Sequence, residues 1–147
     1  MIRHLDKFET IVPNVLTICT YTEFAPFSYE EEGRIIGSDI LFLRKFAHEM
    51  GLDVSIIKKG FDGLWATPGN NECDVSAAGM MDRKERNLGE NGAWSQPYMI
   101  VKRSLLIRRT DEDVFKAPSD FNGKKIVVTP ASSADIDARE RYEPLGA

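Results

Sequence analysis

The side chains that could do chemistry in this sequence fall in short groups, each just after an apolar run. Tyr21, Glu23 and Phe24 follow the run at 15–20, and Phe61 and Asp62 follow residues 54–57. Gly79, Met80, Met81 and the basic residues Arg83, Lys84 and Arg86 follow the run at 74–78, and Ser132 and Ser133 follow residues 125–129. The set combines flat apolar rings, cations and backbone donors at a helix start. Rings can enclose an apolar or planar body. A guanidinium fork can hold a carboxylate through two parallel hydrogen bonds. Backbone N–H groups at a helix N-terminus attract an anion. The chemistry indicated is recognition of a small molecule that carries a carboxylate.

Catalysis finds little support. His4 lies near the N-terminus and His48 within a helical pattern, and neither has a serine or cysteine partner in sequence order. Glu23 and Asp62 read as solvated carboxylates. Cys19 and Cys73 are too few for a disulfide framework and lack metal-site spacing. Cys19 sits in an apolar run, where a buried free thiol is the plainer reading; a single bridge stays open. No catalytic residue, metal site or cofactor is expected. The binding residues have plain readings too. Phe24 and Phe27 read equally well as core aromatics. The run Arg83, Lys84 and Arg86 reads also as one solvated helix face, and Ser132-Ser133 as an N-cap.

These groups need a frame that brings them together. Residues 15–20 are β-branched and apolar, as in a buried strand. Residues 30–33 form a solvated turn. Gly37-Ser38-Asp39 opens a helix over 40–50, with Ser38 or Asp39 as N-cap. Ile40, Leu43, Phe46, Ala47 and Met50 make its apolar face, and Gly51 ends it. A strand at 54–57, a second helix starting at Asp62 and stopped by Pro68-Gly69, and a small-residue strand at 74–79 complete β-α-β-α-β. Short connections of this kind give a parallel α/β sheet. In such sheets ligands bind beyond the carboxyl ends of the strands, where the groups above lie. Further strands are expected at 98–101, 105–107 and 125–129, a capped helical turn at 119–121, and a helix over about 135–142. Residues 1–13 read as a loose leader or tag.

The totals agree with a globular protein. The 147 residues are 42% hydrophobic and 29% charged, with a formal charge of −4. That charge offers no general attraction to nucleic acid or anionic lipid. No apolar run approaches the roughly 20 residues that span a bilayer, and the N-terminus lacks the apolar core of a secretory signal.

Four ordered blocks resemble the extracytoplasmic solute-binding proteins of polar-amino-acid ABC transporters. They are ICTYTEFAPFSYEEEGRIIGSDILFLRKFAHEMGL, FDGLWATPGNNECDVSAAGM, DRKERN followed by WSQPY, and DFNGKKIVVTPASSADID, covering about residues 14–142. The resemblance implies a periplasmic-binding-protein type II-like α/β fold. Residues 14–100 would form lobe 1, with its βαβαβ parallel-sheet core. Residues 101–147 would form the hinge and an incomplete, truncated start of lobe 2. It implies a receptor that binds an amino acid or related carboxylate and passes it to a membrane permease of an ABC importer, outside the cytoplasm and without a cofactor. By position, Phe24 and Phe61 would flank the ligand and Tyr21 would touch its side chain. The Gly79 carbonyl would accept from an α-amino group, Arg86 would bind the carboxylate, and backbone around Ser132 would complete that site. Met81 stands where the family often has threonine, so one polar contact is lost. Residues 87–93 are longer than usual. The family's second lobe continues well past Ala147, so self-association through the uncovered face, or weak order beyond residue 110, is expected. The alternatives on this fold are a cyclohexadienyl dehydratase-like enzyme and the ligand-sensing domain of a signalling protein.

Overall fold

The structure, a computed structural model, describes residues 9–147. The chain divides between Trp94 and Ser95 into two compact units. The first contains β1 (Val15–Thr20), β2 (Glu23–Phe24), β3 (Ser28–Glu31), β4 (Arg34–Ile36), α1 (Ser38–Glu49), β5 (Asp53–Lys58) and β6 (Val75–Ala77).

β1 is the central strand of a three-stranded parallel sheet of order β5-β1-β6. It pairs with β5 from Val15↔Asp53 to Thr20↔Lys58, and with β6 from Ile18↔Val75 to Thr20↔Ala77. Burial on both faces explains its unbroken apolar run. Leu16 and Ile18 point to one side, where they pack with Ile40 and Ala47 of α1. Cys19 points to the other, where it packs with Leu64, Cys73 and Ala78. Each fully buried aliphatic side chain in these clusters contributes about 1.5–3 kcal/mol.

The two cysteines are joined in a disulfide, with Cα atoms 5.9 Å apart. This corrects the free-thiol reading of Cys19. Parallel pairing of β1 with β6 draws together positions 54 residues apart. Asp74 fixes the same junction through hydrogen bonds. Its carboxylate accepts from the Thr17 backbone N–H at 2.7 Å, the Thr17 hydroxyl, and the Ile11 N–H at 2.7 Å. Residues 11 and 12 of the stretch read as a leader are therefore held to the sheet, Ile11 by Asp74 and Val12 by bridging Val15. Residues 1–8 of that stretch, His4 included, lie outside the described residues.

Residues 23–36, of which 30–33 read as a solvated turn, form a small antiparallel sheet, β2-β3-β4. Its turn, Glu32-Gly33, has positive φ at both positions (50° and 73°), the twist that suits a two-residue hairpin. α1 begins one residue after Gly37, which is its N-cap with no side-chain hydrogen bond. Ser38 and Asp39 are thus inside the helix rather than capping it. A Cβ on Gly37 would lie 2.2 Å from the Phe27 carbonyl oxygen, so only glycine fits there. The expected second helix is reduced to a single 3-10 turn, Leu64–Ala66, opened by left-handed Gly63 and closed before Pro68.

The second unit holds one α-helix, α2 (Ser133–Arg141), and 3-10 turns at Arg109–Asp111, Pro118–Phe121 and Glu143–Leu145. The turn at Pro118 matches the expected capped turn, and Asp120 accepts from the N–H groups of Lys116 and Ala117. Phe115 stacks on Phe121 with centroids 4.5 Å apart, and Phe121 meets Tyr142 edge-on. The strands expected at 98–101, 105–107 and 125–129 do not form. A strand exists only by hydrogen bonding to a neighbour, and among the described residues none pairs with these segments.

Candidate functional site

β1 lies between β5 and β6, and the chain crosses from one side of it to the other. The carboxyl ends of these three strands are therefore the switch point of the sheet. Thr20, fully buried at the end of β1, ties this edge together. Its hydroxyl bonds the Ser28 hydroxyl at 2.7 Å and donates to the Ala77 carbonyl at 2.6 Å. The segment after each strand leaves from this fixed rim.

After β1 comes Tyr21, whose hydroxyl donates to Glu23 at 3.2 Å. Burial chiefly, and the Glu23 carboxylate next, push its phenol pKa up, so it is a neutral donor at physiological pH. After β5 comes Phe61, which is buried and meets the Tyr21 ring edge-on with centroids 5.7 Å apart. Trp65 follows on the 3-10 turn and meets Phe61 at 6.2 Å, also edge-on. After β6 the backbone turns back, the Arg86 N–H reaching the Arg83 carbonyl at 3.1 Å. The basic run is thus a turn and not one face of a helix.

Arg86 is only 6% exposed. Its guanidinium carbon lies 4.6 Å from the Trp65 ring centroid and 5.4 Å from that of Phe61. Both are within cation–π range. Nη1 donates to the Met81 carbonyl at 2.7 Å. Burial, reinforced by the charge of Arg83, lowers the Arg86 pKa, but an arginine stays protonated at any physiological pH. One group therefore brings together Tyr21, Phe61, Trp65, Met81 and Arg86.

A second group forms beside it around Gly79. This residue has φ +57°, and an added Cβ would lie 2.7 Å from Phe24 and 3.0 Å from Phe27. The two rings meet each other with centroids 5.2 Å apart. Phe24 is 41% exposed, unlike a core aromatic. The Gly79 N–H donates to buried Asp39 at 2.7 Å, which fixes the loop against the start of α1.

Ser132 belongs to the second unit. Its hydroxyl accepts from the Asp135 N–H at 3.1 Å and caps α2, as its plainer reading has it. Its own N–H donates to the Thr129 carbonyl at 3.1 Å. Trp65 carries no role in the sequence reading. Its position four residues after Phe61, on a segment expected to be helical, was the available signal, since that spacing sets two side chains on one face.

The family described as bacterial extracellular solute-binding proteins, family 3, matches residues 16–139. The chain belongs to that family. Relatives include a probable histidine-binding protein of Campylobacter jejuni, 25% identical over 113 residues, which cover 77% of this chain and 43% of that protein. The L-cystine-binding protein TcyJ of Escherichia coli is 26% identical over 106 residues, covering 71% of this chain and 39% of the relative. Among solved structures, a binding component of an ABC transporter from Wolinella succinogenes, complexed with lysine, superposes with a TM-score of 0.78. It is 25% identical, and the match covers 89% of this chain and 57% of that one. The fold is thus that of the type II periplasmic binding proteins. The chain spans about two fifths of the curated relatives' length.

Proposed function

We propose that this chain carries the ligand-gripping surface of an extracytoplasmic receptor for an amino acid or a related small carboxylate. The receptor would hand its ligand to the membrane permease of an ABC importer and perform no catalysis. One observation carries the reading: the Arg86 guanidinium, buried and within cation–π range of two aromatic rings, sits at the switch point of a parallel sheet. A cation removed from water there gains most from a bidentate anion, and a carboxylate has the matching geometry. Phe61 and half-exposed Phe24 supply apolar walls, and the Gly79 carbonyl is the expected acceptor for an α-amino group. Names of relatives that bind histidine, cystine and lysine support an amino-acid ligand.

Calorimetry with L-histidine, L-arginine, L-lysine, L-cystine and their methyl esters tests this. A free acid is expected to bind while its ester does not. Arg86→Gln is expected to weaken binding by about ten-fold or more, the loss of a charge-assisted pair. Equal binding of acid and ester, or binding unchanged in Arg86→Gln, overturns the assignment.

A further inference from the structure

The guanidinium of Arg86 has two faces and an edge, and they differ in what they can bind. Its central carbon lies over two rings, with Trp65 at 4.6 Å the nearer and Phe61 at 5.4 Å the farther. The rings are inclined at 70° to one another, so together they form a corner rather than a parallel sandwich. Hydrogen bonds leave a guanidinium only in its own plane. The plane of the group therefore decides where its N–H donors point.

Of the two rings, Trp65 is the better placed to impose orientation. Indole is the strongest cation–π partner among side chains. Its turn is anchored from beneath. Leu64, next to it, is 1% exposed and packs against Cys19 and Cys73, which the disulfide joins. Thr67, two residues on, donates its hydroxyl to the Leu64 carbonyl at 2.8 Å. The indole thus projects from a short turn packed on the disulfide, whereas Arg86 reaches it on a long, rotatable stem. Phe61 already meets the Tyr21 ring at 5.7 Å. Trp65 is half-buried while Arg86 is almost wholly so, which makes the indole the outer cover of the cation.

We propose that Trp65 is a positioning residue for Arg86: its ring fixes the guanidinium plane, so that the N–H edge and not the face meets a ligand carboxylate. Preference for a carboxylate over a neutral isostere then depends on Trp65. The ligand consequence rests on the carboxylate-binding role given to Arg86 above. The positioning itself is measurable without any ligand.

The test uses the full chain, uniformly labelled with 15N, and the Arg86 Nε–H signal identified by its loss in Arg86→Gln. In Trp65→Leu, solvent exchange of that proton and rotation about Nε–Cζ are expected to speed up by about ten-fold or more, and in Trp65→Phe by much less, because a ring face is retained. The preference for L-arginine over argininamide, read by calorimetry, is expected to fall by a comparable factor in Trp65→Leu and to be largely kept in Trp65→Phe. A tryptophan that serves only to cover the cation would leave rotation about Nε–Cζ and the acid-to-amide ratio where they were, whatever the solvent exchange rate; that result, with far-UV circular dichroism unchanged, overturns the proposal. Should Trp65→Leu fail to fold, Trp65→Met, closer in volume and equally without a ring, supplies the same contrast with Trp65→Phe. Faster rotation about Nε–Cζ in Trp65→Leu, alongside ligand binding that ignores Arg86→Gln, upholds the positioning and removes the carboxylate role.

Discussion

The two units place their apolar residues in opposite ways. In the first, Leu16, Ile18, Ile40 and Leu64 are at most 1% exposed and lie on both sides of one parallel sheet. In the second, Ile100, Leu106 and Val127 are 94–100% exposed, on segments whose backbone pairs with no strand among the described residues. The residue types differ little between them. The difference is that residues 15–77 contain the partners of their own strands. Apolar content sets how much surface a segment could bury, whereas pairing decides whether it does.

The sharpest way to break this comparison is through the disulfide. Closing a loop across 54 residues is worth about 4 kcal/mol on the chain-entropy account. Cys19→Ser with Cys73→Ser should lower the stability of the first unit by that order, seen as an earlier urea midpoint reported by Trp65. Far-UV signal from the second unit should keep its own transition. A single shared transition for both units would count against two independent packings.

A smaller effect separates the two kinds of apolar residue. Ile18→Ala, at a fully buried position, should cost about 3 kcal/mol. Val127→Ala, 94% exposed, should stay within about 0.5 kcal/mol. Denaturant melts of the two variants check this side by side, and comparable losses would mean that Val127 is covered in solution.

The smallest effect lies at the start of α2. Asp135 accepts from the Ala131 N–H and pairs with Arg139 at 2.9 Å, and these, the backbone bond foremost, hold its carboxyl below the ordinary aspartate range. A folded-state pKa below the unfolded one adds stability that is complete above the unfolded value and is lost as pH falls through the folded one. Helix α2 should therefore fray only in acid, while β1 and β5 keep their amide protection. Side-chain NMR titration of Asp135 reads the direction, and a midpoint at or above that of a free aspartate would contradict it.

The sequence showed what repeats locally. β1 was legible from its six-residue apolar run, α1 from its i, i+3 and i+4 spacing and Gly51, and β5 from its β-branched pairs. The hairpin at 28–36 was not, because a four-residue strand ending in glutamates looks like a solvated turn until its partner is known. The second helix failed because Gly63 and Pro68 lie five residues apart, too close for more than one 3-10 turn. The disulfide could not be read at all: nothing local to Cys19 or Cys73 tells that β6 lies beside β1. At the site, Tyr21, Phe61, Met81 and Arg86 were legible by position after strand ends. The grouping of Phe24 with Phe27 and Gly79, and the place of Trp65 over Arg86, depend on contacts between segments distant in sequence.

Gly79 has a practical meaning for anyone reshaping this surface. Its missing side chain is the clearance into which the rings of Phe24 and Phe27 fit, within 3.0 Å of where a Cβ would stand. A library that varied position 79 would move both rings at once and confuse their shape with its own chemistry. Position 24 is the cleaner dial, since Phe24 is 41% exposed. Varying Phe24 first, with Gly79 kept, would change the width and character of one wall while leaving the scaffold as it is.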